Sequence, residues 1–170
     1  MKTSKYNEIF PEKEVWRRLW EDNHFPWTEA LIDRYQNKID WVCLSANNGV
    51  IWTERMLEKY EHKLDWRRLS GGSFRGLYSS KNLKKYSSKW DWSELSTNSS
   101  VLWTMAKVEE FKEFIDWGEM ISCWNSELYT LEFFEKYKEY FPVSSLQQSR
   151  LWDKILDIHK DKLIEEILAQ

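Results

Sequence analysis

Three histidines, two cysteines, a set of recurring aspartates and one glycine-rich run are the residues of this chain whose types could do chemistry. His24, His62 and His159 would be the natural metal ligands or general bases. None has a second His or Cys at ligand spacing. Cys43 and Cys123 form no Cys-x-x-Cys pair, and neither has a base beside it in sequence. They read as small buried thiols of a reducing compartment. Asp40, Asp65, Asp91 and Asp116 each precede a tryptophan or its neighbourhood in the same phrase. A recurring aspartate at a helix start is explained by capping, which leaves no spare carboxylate pair for acid–base work. Gly71-Gly72-Ser73-Phe74-Arg75-Gly76 looks like a phosphate cradle but lacks Gly-Lys-Ser/Thr and a preceding parallel strand. It is expected to be a loop adjustment, with anion binding the alternative. The sequence therefore points to no catalytic residue, no metal and no cofactor, and to a protein that is not an enzyme.

The elements that would position these groups follow a fixed period. Asp65-Trp66-Arg67-Arg68-Leu69-Ser70 recurs as Asp40-Trp41-Val42-Cys43-Leu44-Ser45 and Asp91-Trp92-Ser93-Glu94-Leu95-Ser96. Worn copies lie at Trp16, Trp117 and Val143. The hub positions 16, 41, 66, 92, 117 and 143 are 25, 25, 26, 25 and 26 residues apart. A constant period of this size marks a stacked array in which one copy cannot bury its apolar stripe alone.

Counting back from each hub, apolar residues fall at −14, −10, −9, −6 and −2. Before Trp66 these are Trp52, Met56, Leu57, Tyr60 and Leu64. Steps of 4, 1, 3 and 4 mark one face of an α-helix. Thr28, Thr53, Thr104 and Thr130 are expected to cap that longer helix. Asp40, Asp65, Asp91 and Asp116 are expected to cap a second, shorter one. Ser45, Ser70 and Ser96 close it, and Asn47 and Asn98 suit the turn that follows. The hub tryptophans, with Tyr35, Tyr60 and Tyr86, are expected to dominate the core. Deleting one hub would then cost about 3–5 kcal/mol. Trp20 and Trp124 fall outside the slots and are expected to be partly exposed.

The fold expected is all-α: an α-solenoid of about five helix–turn–short-helix repeats of 25–26 residues in a single repeat domain, 1–170. Residues 1–15 would be an irregular cap, with Phe10 and Val15 covering Trp16. Residues 16–146 would be the repeats, and 147–170 a C-terminal capping helix. Five glycines and three prolines leave little room for β-hairpins. A 16% aromatic fraction with twelve tryptophans excludes a disordered chain. The first residues have no apolar signal region, and no stretch is long enough to span a membrane. A cytoplasmic protein is the expectation.

The phrasing resembles a tryptophan-rich tandem repeat of uncharacterised bacterial and giant-virus proteins. That pattern runs Trp-Ser/Thr-x-x-Leu-Ile/Leu-x-Lys-Tyr-x-x-Lys-Leu/Trp-Asp-Trp-x-x-Leu-Ser-x-Asn. Trp52 to Ser70 and Trp27 to Asn47 carry the resemblance, which extends over about residues 15 to 146. It implies a helical array and no particular activity.

Charge departs from the period. Trp66 to Trp90 contains no acid but holds Arg67, Arg68, Arg75, Lys81, Lys84, Lys85 and Lys89, whereas Glu109 to Glu139 is mostly acidic. The net charge of −3 implies neither a nucleic acid nor a membrane by itself. The function expected is non-enzymatic binding of a protein partner, of the kind an immunity or inhibitor protein performs. The contacts would come from positions +1 and +2 of the short helix: Arg17, Arg18, Arg67, Arg68, Glu94 and Glu119. The shorter helix is expected on the inner side of the curve, where such arrays bind. The alternative is a nucleic-acid module using the basic middle period, with Arg75, Lys81, Lys84, Lys85 and Lys89 on phosphates.

Overall fold

A computed structural model of the chain describes residues 12–74, 76–123 and 127–169. Among them are twelve α-helices and no strand. The chain divides into two compact units, Met1–Trp90 and Asp91–Gln170. The N-terminal unit holds α1 (Glu12–Glu21), α2 (Glu29–Tyr35), α3 (Trp41–Ala46), α4 (Glu54–Tyr60), α5 (Trp66–Gly71) and α6 (Ser80–Lys85). The C-terminal unit holds α7 (Trp92–Thr97), α8 (Met105–Phe111), α9 (Trp117–Met120), α10 (Leu131–Tyr137), α11 (Val143–Leu146) and α12 (Arg150–Leu168). None of these helices is long and apolar enough to cross a membrane.

Ten of the twelve helices start where a side-chain oxygen takes an orphan N–H. Thr28, Thr53, Thr104 and Thr130 accept from the third residue on, at 3.1 to 3.3 Å. Ser79 does the same for Asn82 at 3.3 Å and fills the slot that had no threonine. Asp40, Asp65, Asp91 and Asp116 cap α3, α5, α7 and α9 at 3.0 to 3.1 Å. Pro142 has no side-chain acceptor to offer α11.

The two helices of a period are nearly equal: α2 and α4 have 7 residues, α3 and α5 have 6. The first helix is short because the chain leaves it after the −6 residue and turns three times before the aspartate. Length therefore does not distinguish the two helices, and it assigns neither of them to an inner side.

The core also differs from the expected ranking. Ile32, Leu44, Leu57, Leu69 and Leu83 are fully buried in the N-terminal unit. Leu95, Val108, Met120, Phe133 and Leu151 are fully buried in the C-terminal one. These are mostly the −9 and +3 slots. The hubs Trp16, Trp41, Trp66 and Trp92 are only half-buried, Trp117 is buried, and Val143 is 88% exposed. Tyr35 is half-buried too, whereas Tyr60 and Tyr86 are buried.

Trp41, Trp66, Trp92 and Trp117 sit at the first residue of their helix, so one ring edge faces outward. Trp66 and Trp117 donate their indole N–H to the carbonyls of Glu61 and Lys112, five residues back, at 3.0 and 3.1 Å. The outer ring face is covered by the next period. Lys38 and Lys63 lie over Trp16 and Trp41 at 5.3 and 5.4 Å. Phe114 and Tyr140 occupy the matching place on Trp92 and Trp117, with ring centroids at 4.9 and 5.0 Å. Each ammonium is drawn to the ring face and is held there by a second bond, Lys38 to Glu12 at 2.6 Å and Lys63 to Gln36 at 2.9 Å.

Trp20 is 1% exposed, contrary to expectation. It stands four residues after Trp16 on the same helical face and stacks between Trp16 at 4.9 Å and Trp27 at 4.5 Å. Trp124, also expected to be exposed, lies outside the described residues, as do Phe10 and the cap up to residue 11. Val15 belongs to α1 and is 56% exposed, so it does not cover Trp16. The terminal helix runs as expected, but it buries only Leu151 and Ile155.

Two sets of polar bonds cross from one period to the next. Ser45 Oγ accepts from the Asp65 N–H at 3.0 Å, and Ser96 Oγ accepts from the Asp116 N–H at 3.0 Å. Ser96 also donates to the Trp92 carbonyl at 2.6 Å. In the loops, Asn23 Oδ1 accepts from Asn48 N and Asn48 Oδ1 from Ser73 N, both at 3.0 Å and both 25 residues apart. Gly49 permits that approach, since a Cβ there would lie 2.3 Å from the Asn23 carbonyl oxygen. Beyond α5, Gly76 takes φ +76 and Phe74 is buried.

Ser96 is fully buried, and Ser96→Ala leaves the Asp116 N–H without its acceptor. It is expected to lower stability by about 1–3 kcal/mol. Ser93→Ala, on the exposed side of the same helix, is expected to stay within about 0.5 kcal/mol. Urea unfolding of both variants checks this, and equal losses would show that the serine bridge contributes nothing.

Candidate protein interface

Positions +1 and +2 of each hub helix are exposed or half-exposed throughout: Arg17-Arg18, Val42-Cys43, Arg67-Arg68, Ser93-Glu94, Gly118-Glu119 and Ser144-Ser145. The cause is geometric. The hub and the residue three on turn one face to the core, and the two residues between them turn away. In the N-terminal unit, α1, α3 and α5 pack in succession, so Arg17, Arg18, Val42, Cys43, Arg67 and Arg68 belong to neighbouring helices. In the C-terminal unit α7 packs on α9, which makes Glu94 and Glu119 neighbours in the same sense.

The four arginines are not equivalent. Arg17 is held inside α1 by Glu14 at 2.7 Å and Glu21 at 2.8 Å, and Arg18 reaches Glu14 at 3.4 Å. These bonds hold the Glu14 carboxyl well below its ordinary range, at about 2. Arg67 has partners within the chain. Arg68 has no ion pair with a described residue and lines a pocket of about 280 Å³ beside Trp20, Val42, Cys43 and Asn47. Arg17 also stands at the rim of an apolar cleft of about 730 Å³ walled by Trp16, Trp20 and Ile39.

The basic middle period is not a free cationic patch. Lys81 pairs with Glu54, Lys85 with Glu58, and Lys89 with Glu61 at 3.1 Å. Each acid comes from the preceding period, 27 or so residues back, on α4 or the turn after it. Lys84 also has partners, and Arg75 lies outside the described residues. The same bridging joins α2 to α4. There Lys59 meets Asp33 at 2.5 Å and Glu29 at 3.1 Å, and Tyr60 donates to Asp33 at 2.7 Å. Burial, followed by the Asp33 bond, pushes the Tyr60 hydroxyl up to about 12. A count of charge along the sequence misses this, because each lysine is balanced one period away. The signal was present: Lys or Tyr at one slot and an acid at the matching slot of the preceding period.

In the C-terminal unit Glu109 is the acceptor of such a bridge. Lys112, Lys136 and the Tyr137 hydroxyl surround it at 2.8, 3.0 and 3.0 Å. They hold its carboxyl at about 2, with Lys112 the largest cause. Glu119, Glu127, Glu132 and Glu139 make no ion pair with described residues, so the acidic excess of this unit is only partly neutralised.

His24, His62 and His159 are exposed, and no group of three or more His, Cys, Asp or Glu among the described residues is placed to hold a metal. Cys123 is buried, with Sγ 3.1 Å from the Met120 carbonyl oxygen and 3.4 Å from Tyr129 Oη. Cys43 is half-buried rather than buried. Burial, then the neighbouring Asp40, pushes its thiol up, which is the wrong direction for a nucleophile.

Glu109 fixes a pH dependence. Its carboxyl titrates near 4.5 when free and at about 2 when folded, so ionised Glu109 stabilises the fold above pH 4.5. That stability is lost as pH falls toward 2. Glu109→Gln is therefore expected to melt lower than wild type at pH 6, with the gap closing on acidification to about pH 2. Thermal melts of both proteins across that range check it; a gap that does not change with pH would assign the loss to packing instead.

Comparison with protein-family models, with curated proteins and with solved structures gives no match, so the resemblance to tryptophan-rich repeats stands on the motif residues alone.

Proposed function

We propose that the chain is a non-enzymatic, protein-binding α-solenoid that acts on a cognate protein as an inhibitor or immunity protein does. One observation carries this reading. The residues that hold one period to the next recur, while the exposed pair at +1 and +2 changes at every period. A constant frame with a variable exposed row is how a repeat array recognises a partner. The row is basic in the N-terminal unit, at Arg17, Arg18, Arg67 and Arg68, and acidic in the C-terminal one, at Glu94 and Glu119. It suits a protein surface of mixed charge, with arginine forks on carboxylates. Arg68, with no ion pair among the described residues and at the lip of a pocket, is the strongest anchor of the row.

The nucleic-acid alternative loses its main support, because the lysines that would meet phosphates already carry carboxylates. Displacing those pairs would offset much of the gain from counterion release.

Arg67→Glu with Arg68→Glu is expected to weaken binding of a captured partner by at least about tenfold with an unchanged melt. Affinity that survives this double change, but is abolished by charge reversal at Lys84 and Lys85, would move the site to the other helices. A duplex oligonucleotide is expected to bind no more tightly than about 10⁻⁴ M at physiological salt. Tighter binding with a steep salt slope would favour the nucleic-acid reading.

A further inference from the structure

We propose that two acid–aromatic pairs of the C-terminal unit, Glu113-Phe114 and Glu139-Tyr140, form a docking surface for lysine or arginine side chains of a basic protein segment. The pairs occupy the slots four and three residues before a hub. At −3, Trp41, Trp66 and Trp92 are preceded by Lys38, Lys63 and Lys89, whereas Trp117 and Val143 are preceded by Phe114 and Tyr140. The N-terminal unit shows what this place does with a cation. Lys38 stands over the Trp16 ring at 5.3 Å, and its ammonium donates to Glu12 at 2.6 Å. Glu12 is the −4 residue of the preceding period. Other ammonium groups of the chain are held by the same combination. Lys59 lies 5.4 Å from the Tyr60 ring and 2.5 Å from Asp33, and Lys136 lies 5.2 Å from the Tyr137 ring and 3.0 Å from Glu109. The ring face attracts the cation and the carboxylate beside it fixes it there.

The C-terminal unit has the ring and the carboxylate without the cation. Trp92 stacks on Phe114 with centroids 4.9 Å apart, and Trp117 packs on Tyr140 at 5.0 Å. The rest of each ring is open, since Phe114 is 46% exposed and Tyr140 38%. Glu113 is the counterpart of Glu12. It directly precedes Phe114, and its carboxylate lies 3.5 Å from the Tyr140 hydroxyl. Glu139 directly precedes Tyr140. Both acids are exposed, and neither forms an ion pair with a described residue. Lys112, on the same turn as Glu113, is bonded to Glu109 at 2.8 Å.

The acids decide what the rings receive. An apolar cover would strip water from Glu113 and Glu139 and return no bond, whereas a cation satisfies ring and carboxylate together. From Glu109 to Glu139 nine acids face three lysines, so the field also favours a basic segment over an acidic one. Neighbouring helices pack about 8–10 Å apart, which sets the spacing of the two pairs. Two lysines in a Lys-x-x-Lys stretch of extended chain, about 10 Å apart, match it. This surface is separate from the row at +1 and +2 and does not depend on it.

Fluorescence polarisation of a labelled peptide of Lys-Gly-Gly-Lys repeats, titrated with the full chain at low salt, reads the outcome. Saturable binding is expected below about 0.3 mM protein. Phe114→Lys with Tyr140→Lys should lower the affinity at least about tenfold. The melt should hold, because the change puts over Trp92 and Trp117 the ammonium that Lys38 and Lys63 already put over Trp16 and Trp41. Glu113→Gln with Glu139→Gln should lower the affinity about threefold to tenfold. The same peptide with every lysine acetylated keeps the stems but loses the charge, and should not bind. Absence of saturable binding of the lysine peptide overturns the proposal. So does an affinity that Phe114→Lys with Tyr140→Lys leaves intact. An acetylated peptide that binds as tightly would make the rings an apolar docking site instead. Loss of binding only in Glu94→Lys with Glu119→Lys would return the site to the hub-helix row.

Discussion

The contact on which the rest depends is that of a hub tryptophan with the next period. Trp16 meets Tyr35, Trp41 meets Tyr60, Trp66 meets Tyr86, Trp92 meets Phe111 and Trp117 meets Tyr137, with ring centroids 4.8 to 5.6 Å apart. In each case the second ring is the −6 residue of the following hub. No period can make this contact by itself. Seven- and six-residue helices are far below the length that is stable alone, so the tilted ring pair is what makes helix formation and association one event. The serine bridge and the asparagine links then fix the spacing that the rings require.

A ring at the first residue of a short helix cannot be wholly enclosed. The protein covers its hub rings with the ammonium of Lys38 or Lys63 in the N-terminal unit and with Phe114 or Tyr140 in the C-terminal one. The substitution changes the surface as well as the core. Phe114 is 46% exposed and Tyr140 38%, so one unit presents aromatic edges where the other presents ammonium groups.

Much of this was legible beforehand. The period, the helix class, and eight of the N-caps follow from Thr28, Thr53, Thr104, Thr130 and the four aspartates, because a cap is a local bond between residues close in sequence. Burial was read less well. Periodicity identifies a face but not its depth, so Trp66 and Leu69 look equally central although Leu69 is fully buried and Trp66 is not. Trp20 looks exposed because it occupies the +4 slot, which holds the polar Ser45, Ser70 and Ser96 elsewhere, yet those serines are themselves fully buried and the slot faces the core. The row at +1 and +2 was legible as an exposed pattern. The pairing of Lys81, Lys85 and Lys89 was not, because their partners lie a whole period away.

That one-period reach has a kinetic consequence. The bridges within the N-terminal unit join residues 20 to 30 positions apart, from Ser45–Asp65 to Glu29–Lys59. The C-terminal unit keeps the same range in Ser96–Asp116 and Glu109–Tyr137. Closing a loop of that size carries a modest entropy cost, and the cost does not grow as more periods are added. Each unit can therefore assemble by growth from any neighbouring pair, without waiting for a distant segment to arrive. Its topology belongs with the fast-folding helical chains in spite of its heavy aromatic content.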